Sequence, residues 1–514
     1  MNQPAAPWRL SIDLADEAAT VRLAEDIAAI LRRGDVIALD GDLGAGKTTL
    51  ARALIRTLAG DAALEVPSPT FTLVQSYTLP RFALAHFDLY RLGGADEMAE
   101  LGLDEALADG AALVEWPERA EGELPMDRLT LALSDGRTPD ARVATLSGPE
   151  EVWRDRIERT FAIRAFMAAA GWGDATRRYL QGDASARAYE RLAGPAGRAI
   201  LMNQPAETDD AAGQARRGAR AAAKLAEDTR PFHAFALGLG ERGFSVPTVR
   251  AHDPERGFML LEDLGNDFCV AGDPPAPIPE RYRIAVEVLA RLHGLDLPAR
   301  LDDGCGGAYA IPAYDRGNLT AEIGVFLDWG LPHLLGRSAT PDERDSFLAA
   351  WSPLFDEVLA APTTWCLRDY HSPNLLWLAD REGHRRIGIL DFQDTIVGHP
   401  AYDLVSIAQD ARVTVPPDLE AGLLAHYLAL RTAADPAFDA SAFRRAYAIL
   451  SVQRNTRILG VFARLKNRDG KPGYMRHYPR LWDYLDRSLR EGVTLGVKLW
   501  YDAHVPVASR LRVP

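Results

Sequence analysis

The run "GDLGAGKTT", residues 41–49, constrains the chain more than any other stretch, because it fits G-x-x-x-x-G-K-[ST] and has the right flanks. Before it, "DVIALD" is an apolar run that reads as a buried strand. After it, "TTLARALIRTL" sets Leu50, Leu54 and Leu58 on one side of a helix. Strand, glycine loop and helix in that order let backbone N–H groups curl around a phosphate at the positive end of a helix. The expected nucleotide-binding residues are Gly41, Asp42, Leu43, Gly44, Ala45, Gly46, Lys47, Thr48 and Thr49. Lys47 is placed to reach the β/γ-phosphates, and the Thr48 hydroxyl to hold Mg2+.

The unit built on this loop closes early. "FALAHFDLYRL" (82–92) and "AALVEWPE" (111–118) each read as a strand ending in acids, and "RLTLALS" and "ARVATLSG" as a hairpin across "DGRTPD". That gives an α/β domain over 1–148, followed by an amphipathic helical linker over 149–172, "PEEVWRDRIERTFAIRAFMAAAGW". From Asp174 strands and turns run to about residue 266, and helices dominate thereafter. A second domain is therefore expected over 173–514, with an N-lobe to about 265 and a C-lobe beyond. A 514-residue chain of 47% apolar and 25% charged residues suits several globular domains. A net charge of −14 argues against wholesale wrapping of nucleic acid. Cys269, Cys305 and Cys366 are odd in number and far apart, which suits reduced thiols. The first residues carry acids where a signal peptide needs basic and apolar ones, and the most apolar segment, "FAIRAFMAAAGW", is short and holds Arg164. A cytoplasmic location without membrane association is expected.

A phosphate loop of this kind needs acids opposite it, for metal and for the attacking water. Asp88 and Glu115, each near a strand end, are the candidates. "GDLGAGKTT", "SPTFTLV", "HFDLYRL" and "VEWP", in this order, resemble the ATPase subunit of the bacterial machinery that makes threonylcarbamoyladenosine in tRNA. That resemblance covers roughly residues 8–147. It implies ATP hydrolysis in support of modification of adenosine 37, through a transferase and a scaffold protein as partners, with tRNA contacted only indirectly. It further implies that Lys47 binds phosphate, that Thr48 and Glu115 bind Mg2+, that Asp88 assists hydrolysis, and that 68–74 acts as a switch-like loop. Trp116 could pack beside the nucleotide or belong to the core.

A second set of motifs lies far downstream. "LRDYHSPNLLW" (367–377) followed by "IGILDFQD" (387–394) places an Asp, an Asn a short loop later, and a strand ending in Asp-Phe. Kinases arrange phosphoryl transfer in this way, which makes Asp369 the candidate base and Asn374 and Asp391 the Mg2+ ligands. Asp403 is placed to brace the loop. "LQGDASARAYERL" (180–192) could cover phosphates with Gly182, Asp183 and Ser185, and "FMLLEDLG" (258–265) could hold adenine at Glu262 and Leu264. These blocks, with "ILDFQDTIVGHPAYDL" and "QRNTRILGVFARLKNRDGKPGY", resemble the aminoglycoside phosphotransferase-like kinases. The closer resemblance is to the anomeric N-acetylmuramate/N-acetylglucosamine kinases of peptidoglycan recycling. Unlike a protein kinase, "RAILMNQPAE" (198–207) has no third-strand lysine; Arg187 or Lys224 could substitute. Arg454, Arg457, Arg464, Lys466, Arg468, Lys471 and Arg476 form a basic cluster suited either to a substrate carboxylate or to a solvated helix face.

The expected fold is therefore α/β, a P-loop NTPase domain fused to a two-lobed α+β protein-kinase-like domain. The expected function is bifunctional: an ATP- and Mg2+-using tRNA-modification ATPase and an amino-sugar kinase. The alternatives are a kinase half that acts on an aminoglycoside or choline-like hydroxyl, a kinase half that is only a regulatory binding module, or a first half that is a generic nucleotide switch with no tRNA role.

Overall fold

The computed structural model describes residues 8–510 apart from 94, 121 and 181–186. It comprises two compact units, Met1–Pro205 with Arg250–Asp263, and Ala206–Val249 with Leu264–Pro514.

In the first unit, β1 (Trp8–Leu14), β2 (Val36–Asp40), β3 (Val74–Thr78), β4 (Ala83–Asp88), β5 (Gly110–Glu115), β6 (Leu129–Asp135) and β7 (Arg142–Gly148) form one sheet in the order β1-β7-β6-β2-β5-β4-β3. The central β4, β5, β2 and β6 are parallel, and the outer strands join antiparallel. Parallel strands covered on both faces need unbroken apolar runs, which "VIAL" in β2 and "AALV" in β5 provide. Helices α1 (Glu17–Ile30) and α2 (Lys47–Ala59) pack Leu23, Ile27, Leu50 and Leu54 against Ile37, Leu39, Leu113 and Leu131. Phe87, Met98, Leu103 and Val114 fill the opposite face. The parallel strands end together at Asp40, Asp88 and Glu115, beside the glycine loop.

Helix α3 (Glu150–Ala169) runs through two cores. Trp153 and Ile157 join the core under α1 and α2, whereas Ile163 and Met167 pack with Leu192, Leu201 and Phe258 of a second sheet. That sheet contains β8 (Thr176–Leu180), β9 (Ala188–Gly194), β10 (Gly197–Asn203), β11 (Val249–Asp253) and β12 (Phe258–Glu262), in the order β11-β12-β10-β9-β8. Asp26 of α1 accepts hydrogen bonds from Arg164 of α3 at 2.7 Å and from Arg177 of β8 at 2.6 Å. Arg177 also donates to Glu190 of β9 at 2.7 Å, and Arg164 approaches Glu25 at 3.2 Å. Burial pushes the Glu25 carboxyl up to about 7, against the pull of Arg164.

The expectation of strands and turns alone between 174 and 266 needs correction, because helices Ala211–Ala222 and Arg230–Glu241 lie there. The first is rich in alanine and arginine, both good helix formers, and Asp210 caps it by accepting from Gly213 N. The second unit is otherwise mostly helical with four short strand pairs among its described residues, including Thr364–Cys366 with Ile396–Gly398 and Leu375–Trp377 with Ile387–Ile389. Its longest helix, Ala440–Asn467, is buried along much of its middle. Cys269 and Cys366 are buried thiols, and Cys305 is exposed. No helix among the described residues is long and apolar enough to cross a membrane.

Removing one member of a buried ionic cluster strands its partners' charge. Asp26→Ala, which removes the acid that Arg164 and Arg177 share, is expected to lower stability by about 3–5 kcal/mol. A denaturant titration followed by circular dichroism measures this; an unchanged midpoint would contradict the role given to the cluster.

Candidate active sites

The loop between β2 and α2 turns at Gly41, Gly44 and Gly46, with φ of +136°, +82° and +105°. A Cβ on Gly41 would stand 2.4 Å from the Leu133 carbonyl oxygen, so a larger residue cannot pass. Asp42, Leu43 and Gly44 are exposed at the tip, Ala45 is buried, and Thr48 and Thr49 are partly covered. The buried Lys47 donates from Nζ to the carbonyls of Gly41 (2.5 Å) and Asp42 (3.0 Å), and it lies 3.6 Å from the centre of the Trp116 ring. Burial pushes its ammonium below the usual lysine range, although Glu115 opposes this.

Thr48 Oγ1 donates to Glu115 Oε2 at 2.8 Å, so the two expected metal ligands meet as adjacent oxygen donors, a set suited to Mg2+. Asp88 accepts from Ser68 at 2.8 Å and from Thr70 at 2.7 Å, and so holds the expected switch-like loop. Phe71 of that loop and Leu43 are each 80% exposed, leaving apolar surface beside the site. Sequence reasoning missed His86, which is fully buried and meets Glu115 Oε1 through Nε2 at 2.9 Å. The signal was present: two residues before Asp88 on a strand is the same face.

In the second unit, Asp403 is fully buried and accepts from the backbone N–H of Leu367 (2.7 Å) and Arg368 (2.9 Å). This is the bracing expected of it. Arg368 has φ of +65° and pairs with Glu322 at 3.0 Å. At the other end of the loop, Asp410 accepts from Ser372 N at 2.8 Å. Neither Glu322 nor Asp410 was singled out from sequence. Between these anchors Asp369 remains partly exposed. Burial opposes its ionisation, but His371, Arg457, Arg368 and Arg454 outweigh that and hold its carboxyl below the usual range. Asn374 Nδ2 donates to the Asp369 carbonyl at 2.9 Å and lies 3.5 Å from Asp391 Oδ2. Asp391 has φ of +57° and accepts from Gln393 at 2.7 Å. The amide oxygen of Asn374 and the Asp391 carboxylate suit a hard divalent cation.

The remaining expected residues are more scattered. Gly182, Asp183 and Ser185 lie outside the described residues. Glu262 ends β12 opposite Ala199, and Leu264 begins the stretch that belongs to the second unit. Arg187 donates to Gln204 at 2.9 Å, and Lys224 lies 3.9 Å from Asp315. The basic cluster divides: Arg454 is buried, Arg457 donates to Tyr402 at 2.9 Å, and Arg468, Lys471 and Arg476 are exposed.

One chain therefore carries two phosphoryl-transfer architectures, a P-loop ATPase and a kinase-like phosphotransferase. Comparison with known proteins narrows both. The model of "Threonylcarbamoyl adenosine biosynthesis protein TsaE" matches residues 14–143, and that of the "Phosphotransferase enzyme family" matches residues 176–440. An N-acetylmuramate/N-acetylglucosamine kinase of Caulobacter vibrioides is 39% identical over 366 residues, covering 69% of this chain and 98% of that protein. A tRNA threonylcarbamoyladenosine biosynthesis protein TsaE of Streptomyces coelicolor is 43% identical over 139 residues, covering 26% of this chain and 91% of that protein. A crystal structure of a choline/ethanolamine kinase family protein from Mesorhizobium loti is 17% identical, covers 66% of this chain and 99% of that one, and has a TM-score of 0.40. The chain belongs to the phosphotransferase enzyme family and, through its N-terminal region, to the TsaE family. It is an enzyme with two ATP-using parts.

The contact between Lys47 and Trp116 gives a direct reporter. A nucleotide phosphate competes for the ammonium, so Mg-ATP is expected to change Trp116 fluorescence. The difference signal between wild type and Trp116→Phe isolates it, and an identical response in both proteins would contradict withdrawal of Lys47 from the ring.

Proposed function

We propose that residues 1–148 hydrolyse ATP to support threonylcarbamoylation of tRNA adenosine 37. In this reading α3 is the connector, and residues 173–514 phosphorylate the anomeric hydroxyl of N-acetylmuramate or N-acetylglucosamine. Both activities are assigned to the cytoplasm. The ATPase partners are a transferase and a scaffold protein, with tRNA reached through them. This agrees with a net charge of −14.

The observation that carries the kinase reading is the loop held at both ends by buried acids, Asp403 and Asp410, with Asp369 left partly exposed between them. A sugar hydroxyl is a poor nucleophile at neutral pH and needs an acceptor for its proton as the P–O bond forms. Arg457, Arg368 and Arg454 favour the ionised form of Asp369, which that role needs. Asn374 and Asp391 would hold Mg2+, and when bound Mg-ATP supplies the phosphoryl group and neutralises charge on its oxygens. In the first domain Thr48 and Glu115 would hold the metal, and Asp88 would orient water.

Asp369→Asn keeps the shape of the side chain and removes the proton acceptor. Turnover of amino sugar should fall by roughly 10²–10⁴ with little change in nucleotide affinity. The wild-type product should be a sugar 1-phosphate, identified by phosphorus coupling to the anomeric proton; phosphorylation at another hydroxyl would sink the assignment. Lys47→Ala should abolish support of tRNA modification and leave sugar phosphorylation intact. Loss of both activities in a folded variant would refute two separate sites.

A further inference from the structure

Arg454 is only 3% exposed, and its Nε and Nη1 are buried without a hydrogen-bond partner among the described residues. Gln453, Asn455 and Arg457, its neighbours on the helix Ala440–Asn467, each donate to a named partner. Gln453 donates to Glu322 at 2.8 Å, and Arg457 reaches Glu322 at 3.5 Å and Tyr402 at 2.9 Å. Asn455 donates to Gln409 at 2.6 Å. Successive helical residues turn by about 100°. Arg454 therefore projects between the direction of Gln453 and Arg457, towards the Glu322–Arg368 pair, and that of Asn455, towards Gln409. Those are the two ends of the loop 368–372, since Gln409 adjoins the Asp410 that holds Ser372. The positive charge of Arg454 acts on both Asp369 and His371.

Buried guanidinium nitrogens without hydrogen-bond partners are costly, and native proteins keep them where something else completes them. We propose that Arg454 binds the carboxylate of an acid-bearing sugar substrate, and so sets the preference for N-acetylmuramate over N-acetylglucosamine. The two sugars differ by the lactyl ether of the first, whose carboxylate matches a planar guanidinium fork. The exposed members of the basic cluster have no such position: Arg468, for example, pairs with its neighbour Asp469 at 2.6 Å. The inference rests on the amino-sugar kinase reading, because it concerns the acceptor of that reaction.

The test measures kcat/KM of the full chain for both sugars and for the methyl ester of N-acetylmuramate. Wild type should lose roughly 10- to 100-fold on esterification, as expected when a charge-assisted hydrogen bond is removed. Arg454→Gln should lower the preference for the acid over the neutral sugar by a similar factor and erase the difference between acid and ester. Arg454→Lys should restore part of it. Equal loss on both sugars, or a wild type indifferent to esterification, would overturn the role of Arg454 and leave the kinase assignment standing. A wild type that phosphorylates neither sugar would remove the kinase assignment and this inference with it. The ester comparison needs no variant, so a misfolded Arg454→Gln does not weaken the test.

Discussion

Asp26 is shared by two arginines from different parts of the first unit, Arg164 of the connecting helix and Arg177 of the second sheet. Arg177 is almost completely enclosed, so its charge is tolerable only while Asp26 and Glu190 both stay in place. The cluster cannot form unless α1, the connecting helix and the first two strands of the kinase sheet assemble together. Apolar packing repeats the constraint, since the connecting helix buries Trp153 in one core and Met167 in the next. A compact unit therefore crosses the boundary between the two families to which the chain belongs.

The two candidate sites share a construction despite their unrelated folds. In each, a buried acid receives hydrogen bonds from a loop at the site: Asp88 from Ser68 and Thr70, Asp403 from Leu367 and Arg368. Non-glycine residues with positive φ mark the same places. Of the five among the described residues, Leu73, Trp116, Arg368 and Asp391 adjoin or belong to these sites; Lys224 is the exception. Such conformations cost of order 1–3 kcal/mol each and persist where surrounding bonds over-determine them. At Arg368 the surrounding bonds are those to Asp403 and Glu322.

What was legible in the sequence was local. The glycine loop, the strand-end acids Asp88 and Glu115, and the spacing of Asp369, Asn374 and Asp391 each depend on a few consecutive residues or one strand, so pattern alone exposes them. His86 was legible in principle, by alternation along β4, but a histidine in an apolar strand does not announce its partner 29 residues away. Glu322 and Asp410 were not legible, since their roles arise from pairing with Arg368 and Ser372 across the fold. Helix Ala211–Ala222 was hidden because two glycines interrupt its alanines. The basic run beginning at Arg454 shows why charge spacing alone misleads: residues that look alike in sequence end up buried, paired or solvated according to the helix face they occupy.

The central claim is that one chain holds two separate nucleotide sites, one on the Lys47 loop and one around Asp391. Equilibrium binding of a non-hydrolysable ATP analogue with Mg2+, followed by calorimetry, tests it directly. Two nucleotides per wild-type chain are expected, and one per chain in both Lys47→Ala and Asp391→Ala. A wild type that binds a single nucleotide, or a single variant that abolishes all binding while remaining folded, would contradict it.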